Sequence, residues 1–241
     1  MSTTTHRTPE NPRGYKDLPF KLPQVSTNDK RRAKRIADAL AEHYPDAYCE
    51  LDHTHPHELL VATILSAQAT DAGVNKATPK LFKAFPMPED YAAATPAKIE
   101  PYIKTIGLFR NKAKSVHAAM TTLVEDFGGE VPRTVEDMLK LRGVARKTAN
   151  VVLGNCYGIN DGFVVDTHVH RLAQRLGLVE YGTNVQQTER MLMALFPRDQ
   201  WTVLSHRLIF HGRRACSARG GECKTHPICS GFGVCCEKRE S

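Results

Sequence analysis

Five of the seven cysteines in this 241-residue chain fall within its last 26 residues, at Cys216, Cys223, Cys229, Cys235 and Cys236. Thiols gathered this tightly form a site. A disulfide framework fits poorly, because the count is odd and the rest of the chain is long enough to bury a core without staples. Metal ligation fits better. Structural zinc commonly uses thiol pairs about two to four residues apart, whereas here six, five and five residues separate Cys216, Cys223, Cys229 and Cys235. Loops of that length suit a [4Fe–4S] cluster, which is bulkier than one ion. His226 lies in the same stretch and keeps zinc open as the alternative. Cys49 and Cys156 stand among apolar neighbours and read as packing thiols.

A second candidate lies mid-chain. Thr134, followed three residues later by Asp137, signals a helix start that halts near Arg142 and Gly143. The segment KTANVVL, from Lys147 to Leu153, opens another helix almost at once. Residues 134–156 therefore read as helix, tight turn, helix, with Gly143 supplying the turn. The first amides of the second helix lack intrahelical partners, and with the helix dipole they form a site for an anion such as phosphate. A hairpin of this kind would hold a nucleic-acid backbone without reading bases. The blander reading is a connector between packed helices.

The elements around these candidates are helical. HELLVATILSAQA, from His57 to Ala69, is apolar on most faces and reads as a buried helix starting after Pro56. Thr95 and Pro96 cap and open a further helix that Pro101 is expected to break or bend. Asn111 to Phe127 repeats apolar residues at helical spacing and stops at Gly128–Gly129. Later helices are expected at 165–177, 184–196 and 199–214. Phe163-Val164-Val165 is too short to make a sheet, so the expected class is all-α.

Charge supports a polyanionic partner without proving one. The net charge is +7, and residues 1–40 hold 9 Lys/Arg against 4 Asp/Glu while residues 201–241 hold 7 against 3. Two basic ends would make one positive face if they met. The run Lys30, Arg31, Arg32, Lys34, Arg35 also reads as a solvated helix face. There is no apolar run long enough for a membrane span and no apolar signal segment near the start, so a soluble, cytoplasmic protein is expected.

The segments LRGVARKTANVVL and VVDTHVHRL resemble the helix-hairpin-helix DNA glycosylases, most closely the endonuclease III branch. The resemblance continues in LLVATILSAQATDAGVNKAT, YIKTIGLFRNKA and HGRRAC, and spans roughly residues 30–236 in a single order. It implies a two-lobed α-helical enzyme, monomeric, acting on double-stranded DNA that carries damaged bases or abasic sites. One lobe would be a helical barrel over 49–159. The other, carrying the iron–sulfur cluster, would combine 28–48 with 160–241, and 1–27 would be a flexible basic extension.

By motif, Lys147 corresponds to the nucleophilic lysine and Asp166 to the catalytic aspartate. An attacking amine must be neutral, and burial, nearby positive charge or a helix N-terminus would each favour that form. Gln68, Leu108 and His168 match the positions that fill the gap left by a flipped base. Gly143, Val144, Ala145 and Arg146 form the DNA-holding hairpin. Each residue also has an ordinary reading, such as a surface lysine or a helix-capping aspartate.

Two departures from the family pattern stand out. The hairpin, commonly Pro-Gly-Val-Gly, is here Arg142-Gly143-Val144-Ala145, and Ala145 lacks the freedom of glycine at positive φ. The familiar cysteine gaps are six, two and five; here the middle gap is five and His226 stands at the third cysteine's place. A longer loop with Cys216, Cys223, Cys229 and Cys235 as ligands, Cys236 being spare, restores the set. The expected activity is excision of oxidised pyrimidines followed by strand cleavage at the abasic site. The alternatives are a monofunctional mismatch glycosylase and a catalytically decayed iron–sulfur or zinc DNA-binding protein.

Overall fold

The computed structural model describes residues 18–219 and 225–234. Twelve α-helices and one 3₁₀ turn occur there, with no strand among the described residues. The chain divides into two compact units: Cys49–Ile159, and the flanking segments Met1–Tyr48 with Asn160–Ser241.

The unit formed by Cys49–Ile159 is organised on α2 (Pro56–Leu65), in which every residue from His57 to Leu65 is buried. Pro56 opens the helix at a position where no amide hydrogen is needed. Glu58 ties its start: its Oε2 accepts hydrogen bonds from the Thr54 amide at 2.6 Å, the Thr54 hydroxyl at 2.7 Å and the His55 amide at 3.1 Å. Burial opposes ionisation of that carboxyl, but the three donors prevail and hold its pKa below the usual value. Around α2 pack α3 (Asp71–Ala84), α6 (Phe109–Phe127) and α8 (Arg146–Tyr157), with α4 (Pro88–Ala93) and α5 (Pro96–Ile103) laid on α6 and the short α7 (Val135–Met138) on α8. Leu60, Leu65, Val116, Met120, Val152 and Leu153 share the resulting core.

Two expectations need correction here. The apolar run to Ala69 does not stay helical: α2 ends at Leu65, and residues 66–69 turn, with Ala69 donating its amide to the Ser66 carbonyl at 3.0 Å. Pro101 does not interrupt α5, which continues through it and ends two residues later. The α6 stop is as read, with Gly128 at φ 61° and Gly129 at φ 81°.

The second unit contains α1 (Thr27–His43), α9 (Thr167–Arg175), α10 (Val185–Leu195), the 3₁₀ turn Arg198–Gln200, α11 (Trp201–Arg214) and α12 (Pro227–Phe232). A Ser26–Asp29 capping box starts α1. Ile36 and Leu40 of α1, Leu172 of α9 and Trp201, Leu204 and Leu208 of α11 are buried together. The basic run divides by task. Lys30, Arg31, Lys34 and Arg35 are exposed, whereas Arg32 donates to the carbonyls of Leu176 at 2.9 Å and Phe232 at 2.6 Å, tying α1 to the chain after α9 and to the end of α12.

Candidate functional site

In the unit Cys49–Ile159 the hairpin is built by α7, a turn and α8. Thr134 caps α7, its hydroxyl oxygen accepting from the Asp137 amide at 3.1 Å. The turn closes with the Val144 amide donating to the Leu141 carbonyl at 3.1 Å, and the Val144 side chain is buried in the unit's core. Gly143 has φ +83°, and a Cβ there would lie 3.0 Å from the Ser115 Cβ. Glycine is thus required twice, for conformation and for space. Ala145 is a different matter: its φ is −98° and ψ 169°, ordinary extended backbone that alanine adopts without strain. No positive φ is needed at this departure from the family pattern.

Ala145 is the N-cap of α8 and offers no side chain to cap it. The helix therefore opens with polar N–H groups at a positive dipole end, immediately after the turn. Arg146 is half-buried and Lys147, the second residue of α8, is exposed. Lys147 thus stands at a helix N-terminus beside the Arg146 guanidinium, open to solvent within this unit.

Gln68 and Leu108 occupy turns at the ends of helices in the same unit. Gln68 lies exposed between α2 and α3 at φ 54°. Leu108 precedes α6 at φ 58° and is 60% exposed. A left-handed backbone is costly for side chains of this kind, and an apolar side chain held out into water adds a second cost. Strained backbone of this kind clusters at functional sites.

Asp166, in the other unit, is the N-cap of α9; its Oδ1 accepts from the Val169 amide at 2.8 Å. His168 is half-buried, with Arg171 Nη2 3.3 Å from its Nδ1 and its Cβ close against Gly212. Its ring is more tightly framed than either Gln68 or Leu108. His206 is buried on α11; burial, the charge of Arg213 and, in the opposite sense, that of Asp166 leave its pKa down at about 4.

Two of the clustered cysteines are described, and both are buried: Cys216 at 2% and Cys229 at 3% exposure. Neither is disulfide-bonded. Cys223, Cys235 and Cys236 lie outside the described residues. Arg175 Nη1 donates to Cys216 Sγ at 3.2 Å, and Arg171 Nη2 donates to the Cys216 carbonyl at 2.9 Å. Cys229 Sγ lies 3.2 Å from Nε2 of His211, a ring with no exposure to solvent. Burial, with His226, His43 and Arg171 adding positive charge, takes the His211 pKa down to about 4. A buried Cys216 sulfur that accepts from a guanidinium and a buried Cys229 sulfur beside an imidazole nitrogen suit thiolate ligands, so these residues fit a metal or iron–sulfur group. The ligating atoms of His211, His226 and Cys229 lie within 4.8 Å of one another, a grouping that also suits a single ion. By contrast, Cys49 and Cys156 are half-buried against the core of their own unit, where burial pushes the Cys156 thiol up to about 12.

Spacing alone does not expose His211, or Tyr44, whose hydroxyl lies 3.0 Å from His211 Nδ1, as partners of this site. HGRRAC drew attention to Cys216, and its first residue is the histidine that reaches Cys229.

Residues 61–198 match the family described as HhH-GPD superfamily base excision DNA repair protein. The chain is 49% identical over 203 residues to the endonuclease III of Synechocystis sp., which spans 83% of this chain and 92% of that relative. It is 45% identical over 193 residues to the endonuclease III of Bacillus subtilis, covering 80% and 88% respectively. Among solved structures, a trapped endonuclease III–DNA covalent intermediate superposes with a TM-score of 0.83 at 39% identity, covering 90% of this chain and all of that one. A thermostable thymine-DNA glycosylase, at 22% identity and a TM-score of 0.77, shares the fold. Among the described residues, no helix is long and apolar enough to cross a membrane.

Proposed function

The chain belongs to the HhH-GPD superfamily of base excision DNA repair proteins, and from this we propose that it is a DNA glycosylase and abasic-site lyase of the endonuclease III kind, acting on oxidised pyrimidines in duplex DNA. The observation that carries the reading is Lys147 at the uncapped N-terminus of α8, directly after the Gly143 turn, in a chain 39% identical over nearly its whole length to an enzyme solved in covalent linkage to DNA. A cytoplasmic enzyme, nucleoid-associated if bacterial, is the reading that a DNA substrate supports.

Lys147 acts as the nucleophile. Its neutral amine attacks C1′ of the damaged nucleotide; the C1′–N bond breaks and the base departs with the electron pair and a proton. Opening of the sugar ring, with the departing O4′ taking a proton from water to become a hydroxyl, gives a protonated Schiff base, which acidifies the C2′ proton. Removal of that proton expels the 3′ phosphate by β-elimination, and water then releases the lysine. Asp166 bears a carboxylate that stabilises the positive charge developing on the sugar. The amides of the hairpin and the α8 N-terminus hold phosphate, with Gly143, Val144, Ala145 and Arg146 forming the clamp.

Gln68 and Leu108 serve the flipped state. Leu108 fills the vacated stack and Gln68 hydrogen-bonds the orphaned partner base. His168, framed by Arg171 and Gly212, is the least prepared of the three to enter a stack.

Cys216, Cys223, Cys229 and Cys235 would hold a [4Fe–4S] cluster, which supplies a rigid anchor for the basic end of the chain; the lyase chemistry contains no redox step. The grouping of His211, His226 and Cys229 supports zinc as a second reading. Metal analysis separates them: about four irons per chain with broad visible absorption is expected, and one zinc without that absorption favours the second. The activity is tested on a duplex carrying a single thymine glycol. Release of the free base together with a nick ending in the β-elimination product is expected, and base release leaving an intact strand favours a monofunctional enzyme.

A further inference from the structure

A chain of four polar contacts runs from a backbone amide to a cysteine sulfur in the unit that holds the metal ligands. The Ile228 amide lies 3.3 Å from His226 Nδ1; His226 Nε2 lies 3.4 Å from the Tyr44 hydroxyl. That hydroxyl lies 3.0 Å from His211 Nδ1, and His211 Nε2 lies 3.2 Å from Cys229 Sγ. Tyr44 reaches these rings from the C-cap of α1, His211 comes from α11, and His226 is the N-cap of α12.

The protons in this chain can be placed from one end. A backbone amide only donates, so His226 Nδ1 accepts and carries no hydrogen. The His226 proton is then on Nε2, which donates to the Tyr44 oxygen. The Tyr44 hydroxyl, accepting from His226, can direct its own hydrogen to His211 Nδ1. A ring whose Nδ1 accepts carries its hydrogen on Nε2, so in this arrangement the solvent-shielded His211 donates to the sulfur and Cys229 accepts, as a thiolate or a metal-bound sulfur does.

We propose that Tyr44 and His211, oriented by His226, form a hydrogen-bond relay that fixes Cys229 as a cluster ligand and stabilises the more reduced state of the cluster. The inference rests on the [4Fe–4S] reading given above. Its physical basis is that a donor directed at a cluster sulfur offsets negative charge there, which raises the reduction potential and makes oxidation harder. Each bond in the relay polarises the next, so removal of the middle hydroxyl weakens the last donor without touching a ligand. None of these three residues is needed for the strand chemistry, so the relay acts on the metal centre and not on Lys147.

The test uses the full-length holoprotein, with Tyr44→Phe and His226→Asn as variants. Phenylalanine keeps the ring that packs in the core. Asparagine is itself a good N-cap and keeps the acceptor for Ile228 while removing the donor to Tyr44. Iron content is measured first, then the reduction potential, then the rate of iron release to a ferrous chelator under ferricyanide. The expected result for Tyr44→Phe is a full iron complement, a more negative potential, and iron release faster by about fivefold, the equivalent of one ordinary hydrogen bond. His226→Asn is expected to shift both readouts in the same direction by less. Wild-type potential and release rate in an iron-loaded Tyr44→Phe protein would overturn the relay. Wild-type protein holding zinc and no iron would overturn the cluster reading itself, and the relay with it, because a ligating His211 Nε2 carries no proton.

Discussion

Gln68 and Leu108 share a backbone state that no other non-glycine residue adopts among those described, with φ of 54° and 58°. Each sits in an exposed turn beside a helix end, and each costs the fold about 1–2 kcal/mol relative to a residue at ease there. Glycine at either position removes that strain. Leu108→Gly is therefore expected to melt no lower than wild type, although excision from duplex DNA falls about tenfold, the rate equivalent of about 1.4 kcal/mol of lost stacking. Cleavage of a preformed abasic site is expected to fall less. Parallel loss of stability and activity would show that the leucine only serves the fold.

The hairpin makes an asymmetric prediction. Gly143→Ala meets both a positive φ and the Ser115 Cβ at 3.0 Å, and is expected to destabilise the protein by about 1–3 kcal/mol and to weaken duplex binding. Ala145→Gly changes a residue with ordinary backbone angles, and is expected to leave binding within about twofold of wild type, with stability lowered by less than about 1 kcal/mol. Thermal melts and binding titrations at fixed salt read both.

Asp166 combines a capping bond with a carboxylate charge, and two substitutions separate them. Asp166→Asn keeps an acceptor for the Val169 amide and removes the charge; asparagine caps as well as aspartate does. It is expected to retain wild-type stability and to lose base excision. Asp166→Ala is expected to lose excision to the same degree and about 1 kcal/mol of stability besides. If Asp166→Asn excises normally, the carboxylate serves only as a cap.

Acid sensitivity follows from His206. Its folded pKa is depressed to about 4, against 6.5 for an unconstrained histidine, with burial as the largest cause. Between those values the unfolded chain binds the extra proton, so stability is fully present above pH 6.5 and falls as the pH drops toward 4. The slope from this residue is at most about 1.4 kcal/mol per pH unit. Melting curves between pH 7.5 and 5 are expected to show a steeper decline for wild type than for His206→Gln. Identical slopes would remove His206 as a source of the sensitivity.

Local signals made much of this molecule legible in its sequence, and long-range pairings did not. Gly143 could be placed in a turn because Thr134 and Asp137 set one helix start and KTANVVL set the next; Gly128–Gly129 likewise marked the end of α6. The end of α2 was hidden, because Ser66 to Ala69 hold no glycine or proline to mark the place where the chain turns. The backbone at Ala145 was hidden for a related reason: composition indicates which residue stands where glycine is common, but only the backbone shows that no positive φ is needed there. Tyr44 and His211 are 167 residues apart, and no periodicity joins positions at that distance. The same holds for Arg175 and Cys216, whose N–H···S contact exists only because α9 packs on α11.

The central claim is that Lys147 is the nucleophile, and borohydride trapping tests it most directly. The protein is mixed with a duplex carrying one thymine glycol, and separately with an abasic duplex, while borohydride reduces any Schiff base to a stable amine. The account predicts a covalent protein–DNA adduct on both duplexes, and none on either with Lys147→Gln, a surface substitution expected to leave stability within about 0.5 kcal/mol of wild type. Undiminished adduct with folded Lys147→Gln, or no adduct with wild-type protein that still binds the duplex, would contradict it.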